Sequence, residues 1–182
     1  VKTGYGCERV GLFPQQRELP FDWLKNIWNL KTSPKVKDFL WKVMKKAIPV
    51  SSNLASRGVA PFPCARCGGI EDDLHVLLLC PFASQAWRLL PVKETPSRSL
   101  LTISELLVIG QRCINLPPVG CDTPLWPWFL WNLWKARNKL CFENRSFSEW
   151  EVVSKSIADA KEWSAAQRLS DESTSPVNRT SP

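Results

Sequence analysis

Cys64, Cys67, His75 and Cys80 stand at C-x2-C-x7-H-x4-C spacing in the segment CARCGGIEDDLHVLLLC, and His75 is the sole histidine of the chain. Two thiolates a turn apart, followed by an imidazole and a third thiolate, make a closed four-ligand set. Tetrahedral zinc is the ion that best suits three sulfur ligands and one nitrogen. A closed set leaves no coordination position for water or substrate, so one zinc here is expected to hold a fold together rather than to do chemistry.

Three competing readings stand beside zinc. A disulfide framework belongs to small secreted chains, whereas this chain has an odd number of cysteines, 7, and no signal peptide at its N-terminus. A redox C-x-x-C pair would not require the matching His75 and Cys80 that follow. Unrelated core thiols would not require the spacing. Gly68 and Gly69 support the metal reading, because residues after a C-x-x-C turn back with positive φ and present backbone N–H groups to the sulfurs. Cys7, Cys113, Cys121 and Cys141 show no such spacing and read as small buried hydrophobes.

At 182 residues the chain suits one domain or two small ones, and 44% hydrophobic residues suffice for a core. No apolar run approaches a membrane span. A formal charge of +7 favours an anionic partner such as nucleic acid. The chain opens on Val1 and its one methionine is Met44, so it reads as a piece of something longer. Ten tryptophans against one tyrosine imply large aromatic faces that need burial within the chain or against a neighbour.

Glycines and prolines make residues 1–20 irregular. Asp22 is placed to cap a short helix turning Trp23, Leu24, Ile27 and Trp28 toward a core. Ser33-Pro34 supplies an N-cap and a first-turn proline. Val36, Phe39, Leu40, Val43 and Ala47 then share one helix face until Pro49. A short helix over about 53–57 is expected to end at Gly58. Glu71, Asp72 and Asp73 read as a solvated helix start that delivers His75 and Cys80. Pro81 restarts a helix that carries Trp87 inward. Residues 91–99 read as a linker, Ile103 to Ile109 as a helix and 115–123 as a loop. Leu125 to Phe142 forms a helix apolar nearly all round, with Pro127 tolerable only in its first turn. Ser148 and Glu151 make a capping box for a last helix bearing Val152, Val153, Ile157, Ala160 and Trp163. The polar stretch 169–182 reads as a disordered tail.

The fold class that follows is mainly α: a small helical zinc-binding module over residues 1–90, a linker with a short helix over 91–120, and a helical Trp-rich connector over 121–168. Lys35, Lys42, Lys45 and Lys46 lie on or near the face opposite the apolar stripe, with Arg57 and Arg66 close to the metal turn. They are the candidate phosphate contacts, or they simply solubilise a helix. Trp41 falls between the two faces, placed to pack inside or to stack a base.

In order along residues 1–90 stand Ile27-Trp28, Pro34-x-Val36 with Lys35 between, Phe39-Leu40-Trp41, Leu54-x-x-Arg57-Gly58, the Cys/His cluster, and Cys80-Pro81-Phe82-Ala83 with Trp87. This order resembles the reverse transcriptase zinc-binding domain of plant non-LTR, LINE-type retroelement polyproteins. The second half, with Trp126-Pro-Trp-Phe-Leu-Trp and Trp134-Lys-Ala-Arg-Asn-Lys, resembles the connector leading into an RNase H-type domain. Gly6, after Gly4-Tyr5, departs from the family, where a larger aromatic often follows. The resemblance implies a non-catalytic zinc module inside the cell, in cytoplasm or nucleus. Its partners would be RNA or DNA, or the neighbouring polymerase or RNase H-type domains, for which it would act as a scaffold. A retroelement fragment without function is the third reading. The sequence holds no Tyr-x-Asp-Asp motif and no acidic constellation suited to two-metal chemistry.

Overall fold

A computed structural model describes residues 21–117 and 119–174. Among the described residues there is no strand; extended pairing is confined to isolated bridges, Pro63 with Ile70 and Val92 with Asn115. The elements are a π-helical turn Leu24–Trp28, α1 Pro34–Met44, α2 Ser51–Ala55, a second π-helical turn His75–Leu79, α3 Pro81–Leu89, α4 Ile103–Gly110, α5 Leu125–Glu143 and α6 Glu149–Thr174. The mainly helical class read from the sequence is the class observed.

Asp22 caps the first turn, its Oδ1 accepting from the Lys25 N–H at 2.9 Å. The expected inward set is corrected, however. Ile27 is fully buried, whereas Leu24 is 64% exposed and Trp28 42% exposed. Hydrogen bonds spanning i to i+5 break the 3.6-residue period on which that apolar set was read.

In α1, Ser33 Oγ accepts from the Val36 N–H, and Val36, Phe39, Leu40 and Val43 are buried. The helix ends at Met44, before the proline expected to stop it. The Ala47 N–H returns to the Lys42 carbonyl at 2.8 Å and the Lys46 N–H to the Val43 carbonyl at 3.0 Å. Lys46 takes a left-handed φ of 51°. These two bonds form a Schellman motif, with lysine where glycine is usual. α2 starts at Ser51 rather than near residue 53, because Glu71, distant in sequence, receives its first N–H groups: Ser51 N donates to Glu71 Oε1 at 3.3 Å and Ser52 N to the Glu71 carbonyl at 3.0 Å. Gly58 follows with φ 88°.

Thr102 and Glu105 form a capping box at the head of α4 that the sequence reading did not single out. The box expected at α6 is present, the Ser148 N–H donating to Glu151 Oε2 at 2.8 Å and the Glu151 N–H to Ser148 Oγ at 3.3 Å. α6 continues through residues 169–174, so the polar tail does not begin at 169. No helix breaker occurs until Pro176, which lies outside the described residues together with the rest of 175–182.

α5 is the centre of the core. Trp126, Trp128, Phe129, Leu130, Leu133 and Trp134 are all buried. Phe39 of α1 meets Trp131 with ring centroids 5.3 Å apart and Trp134 at 6.4 Å, Trp87 of α3 meets Phe129 edge-on at 4.6 Å, and Trp163 of α6 lies 6.2 Å from Trp128. A helix apolar nearly all round is therefore covered by three other helices of its own chain. No helix among the described residues is long and apolar enough to cross a membrane.

Candidate metal centre

The first two ligands sit in the turn between Pro63 and Ile70. It closes because the Gly68 N–H donates to the Cys64 carbonyl and the Cys64 N–H to the Gly69 carbonyl, both at 2.8 Å. Gly68 takes φ 73°, a conformation that disfavours any side chain. In this geometry the Gly68 N–H serves a backbone carbonyl. The third ligand opens the second π-turn, where Asp72 Oδ1 accepts from the His75 N–H at 2.6 Å. The fourth, Cys80, is the N-cap of α3 and stands one turn-length past His75, its own N–H bonded to the His75 carbonyl at 2.8 Å.

These elements bring the ligand atoms of Cys64, Cys67, His75 and Cys80 within 4.8 Å of one another. Cys67 Sγ lies 3.3 Å from His75 Nε2 and 4.0 Å from Cys80 Sγ. With Zn–S near 2.3 Å and Zn–N near 2.1 Å, a tetrahedral site has edges of about 3.5–3.8 Å, so the donor set fits one zinc. Cys64 and Cys80 are buried, while Cys67 is exposed. Burial pushes the Cys80 thiol up to about 12, against the opposing pull of the Phe82 and Ala83 backbone N–H groups at the head of α3. A cation among the sulfurs supplies the charge that a buried thiolate needs.

The acidic run beside the site is not a solvated helix start. Asp72 is exposed and caps, but Glu71 is 1% exposed and Asp73 6%. Asn53 Nδ2 donates to both Asp73 oxygens at 3.0 Å, and burial raises the Asp73 carboxyl to about 6. Glu71 receives Arg137 of α5 in a bidentate pair, Nε to Oε2 at 3.1 Å and Nη2 to Oε1 at 2.5 Å. Glu71 is thus not part of a solvated helix start, and its pairing with Arg137 is not visible in the sequence. Arg137 lies in the basic run Lys135-Ala136-Arg137-Asn138-Lys139, so residue type does not set it apart from its neighbours, and nothing local links it to residue 71.

The candidate phosphate contacts separate into two environments. Lys35, Lys42, Lys45, Lys46 and Arg57 are exposed. Lys35 Nζ lies 5.3 Å from the Trp131 ring centroid, Lys45 Nζ 4.9 Å from that of Trp23, Lys42 pairs with Asp38 at 2.7 Å, and Arg57 donates to the Lys46 carbonyl at 3.4 Å. Arg66 turns inward. Its guanidinium lies 3.4 Å from the Phe82 ring centroid and donates to the Phe147 carbonyl at 3.2 Å, and burial lowers its pKa. Trp41, with packing inside as one of its two readings, is 37% exposed.

The remaining thiols also divide. Cys113 is buried, and desolvation raises it to about 11. Cys121 is half-buried, and Cys141 is exposed, which corrects the expectation that it would be a core residue. Cys7 and Gly6 lie outside the described residues.

Residues 11–87 match the family model described as zinc-binding in reverse transcriptase. The resemblance read over residues 1–90 thus holds for that segment, and its cluster can hold one metal ion. A protein of Arabidopsis thaliana bearing the provisional name ribonuclease H protein is 27% identical over 169 residues, covering 84% of this chain and 26% of the relative. The chain therefore spans about a quarter of that relative's length. No solved structure matches the chain.

Proposed function

We propose that this chain is a non-catalytic, zinc-stabilised module of a retroelement reverse transcriptase-like protein, and that it assists non-specific binding of RNA or DNA. The observation that carries the reading is the outer face of α1 and its C-terminal cap, where Lys35, Lys42, Lys45 and Lys46 are all exposed on a chain of net charge +7. Ammonium groups at such positions neutralise phosphates and release counterions without reading sequence. Arg66 is left out of the contact set because its guanidinium is engaged with Phe82 and Phe147. Zinc, held by Cys64, Cys67, His75 and Cys80, supplies fold stability. A scaffold reading would use the tryptophans of α5 for docking, but Trp126, Trp128 and Trp134 are buried within this chain, which leaves Phe142 at the end of the helix exposed.

The test is metal content by mass spectrometry together with a salt series of binding to single-stranded RNA. One zinc per chain, with affinity that falls steeply with salt and is lost when Lys42, Lys45 and Lys46 are replaced by glutamate, supports the module. One zinc without binding moves the assignment to a scaffold that docks neighbouring domains.

A further inference from the structure

Resting on the nucleic-acid reading above, we infer that the strand bound is single-stranded and that Trp28 and Trp41 stack its bases. Of the ten tryptophans, three stand exposed: Trp28 at 42%, Trp41 at 37% and Trp150 at 63%. An indole left in water forfeits a large apolar payload, and the surroundings of the three differ. Trp150 sits between Glu149 and Glu151 in the first turn of α6, an acidic setting that repels a phosphate backbone. Trp41 lies between Lys37 and Lys45 at helical spacing, and Lys37 reaches the backbone carbonyl of Trp28.

Lys37 and Trp41 share one face of α1 at i and i+4, and Lys45 follows four residues on. Lys37 Nζ donates to the Trp28 backbone carbonyl at 2.7 Å, which ties the end of the π-turn to this face of α1. Lys45 Nζ lies 4.9 Å from the Trp23 ring. The outcome is a strip running Trp28, Lys37, Trp41, Lys45, with about 12 Å of helix rise between the two lysines. An ammonium carries three donors, and the Trp28 carbonyl takes one of those of Lys37, which leaves two to offer a phosphate. The Lys42–Asp38 pair beside the strip is half-exposed on both sides and gives way readily to a stronger anion.

Alternating indole and ammonium groups suit a strand whose bases are free to turn outward. Every base has a π-face to offer, whereas in a duplex those faces are already stacked on each other. The strip carries no group aligned to read a base edge, which agrees with binding that ignores sequence.

The experiment uses the full zinc-loaded chain and fluorescein-labelled 12-nucleotide oligouridine, oligothymidine and a duplex of equal length, read by anisotropy. The parent is expected to prefer both single strands to the duplex. Trp28→Leu and Trp41→Leu are each expected to weaken single-strand binding on the order of ten-fold, with duplex binding unmoved, and Trp41→Phe should recover much of its loss. Trp150→Leu is expected to change nothing. Equal affinity for duplex and single strand, or tryptophan variants that bind like the parent while the lysine variants still lose affinity, overturns the stacking inference and leaves the phosphate-binding reading standing. A parent that binds none of the three probes overturns both. Circular dichroism of each variant establishes that the fold is intact.

Discussion

Glu71 and Arg137 join the metal-bearing segment to the central helix across the core, carboxylate and guanidinium meeting through two hydrogen bonds at side-chain exposures of 1% and 8%. Glu71 also receives the Ser51 N–H at the head of α2. One carboxylate thus holds three segments that are far apart in sequence. Removing one member of a buried pair leaves the other charged and unpaired, and Arg137→Met is expected to destabilise the chain by about 3–5 kcal/mol. The double variant Glu71→Leu/Arg137→Met should recover much of that loss, since well-packed apolar pairs often replace buried ion pairs at little cost. Urea unfolding of the singles and the double checks it; additive losses would mean the pair is not coupled.

Cys64→Ser and His75→Ala are expected to unfold residues roughly 60–90, whereas Cys113→Ser is tolerated. Metal binding at such sites contributes on the order of 10 kcal/mol in finger-like peptides, comparable to the whole stability of a small domain. Thermal melts of the three variants, with and without chelator, are the measurement. Equal melting of all three would remove the zinc assignment.

Lys46 holds the left-handed C′ position of α1 at φ 51°. That conformation costs a side-chain-bearing residue about 1 kcal/mol relative to glycine. Lys46→Gly is therefore expected to raise stability by about 0.5–1 kcal/mol while lowering nucleic-acid affinity slightly, a separation readable in paired melting and binding assays.

Gly110 closes α4 against Trp126, and a Cβ there would come within 2.8 Å of the indole ring. Trp126 is 1% exposed and sits in the first turn of α5, so its ring has little room to shift. Gly110→Ala is expected to destabilise by about 1–3 kcal/mol through overpacking, despite the better helix propensity of alanine. A denaturant midpoint at or above the parent's would show that the ring moves freely.

Two exposed capping carboxylates each add a component to the acid limb of stability. Hydrogen bonds from the Leu101 and Thr102 backbone N–H groups hold Glu105 below its ordinary 4.5, and the Ser148 backbone N–H does the same for Glu151. A carboxyl depressed in the folded state contributes stability that is present above its unfolded value and lost as pH falls through the folded one. Stability should therefore decline from just above pH 4.5 downward, and Glu105→Gln/Glu151→Gln should flatten that limb in pH-dependent melts. An unchanged limb would assign acid sensitivity to other groups.

Several features were legible because they depend only on near neighbours in the chain. The Ser33-Pro34 start, the Ser148/Glu151 box and the Gly68 turn are local hydrogen-bond patterns spanning a few residues. Other features depart from the sequence pattern where the local period changes. Leu24 and Trp28 point outward because their turn is π-helical, and α1 stops at a Schellman lysine rather than at Pro49. Cys141 was grouped with core thiols on residue type alone, but α5 presents it to solvent at its far end.

The amino-acid sequence alone points to the ligand set, since Cys64, Cys67, His75 and Cys80 lie within one short segment and their spacing allows them to converge. It also determined that α5 must be covered on several sides, since its apolar residues wind around the whole cylinder. What covers it emerges from the packing of the folded chain: α1, α3 and α6. Only the tertiary structure turned Arg66 inward, paired Glu71 with Arg137, and left Trp28 and Trp41 in the open beside lysines. Spacing reports what can meet over one or two turns. Burial and long-range pairing depend on which helices share a core, and that is fixed by their joint packing.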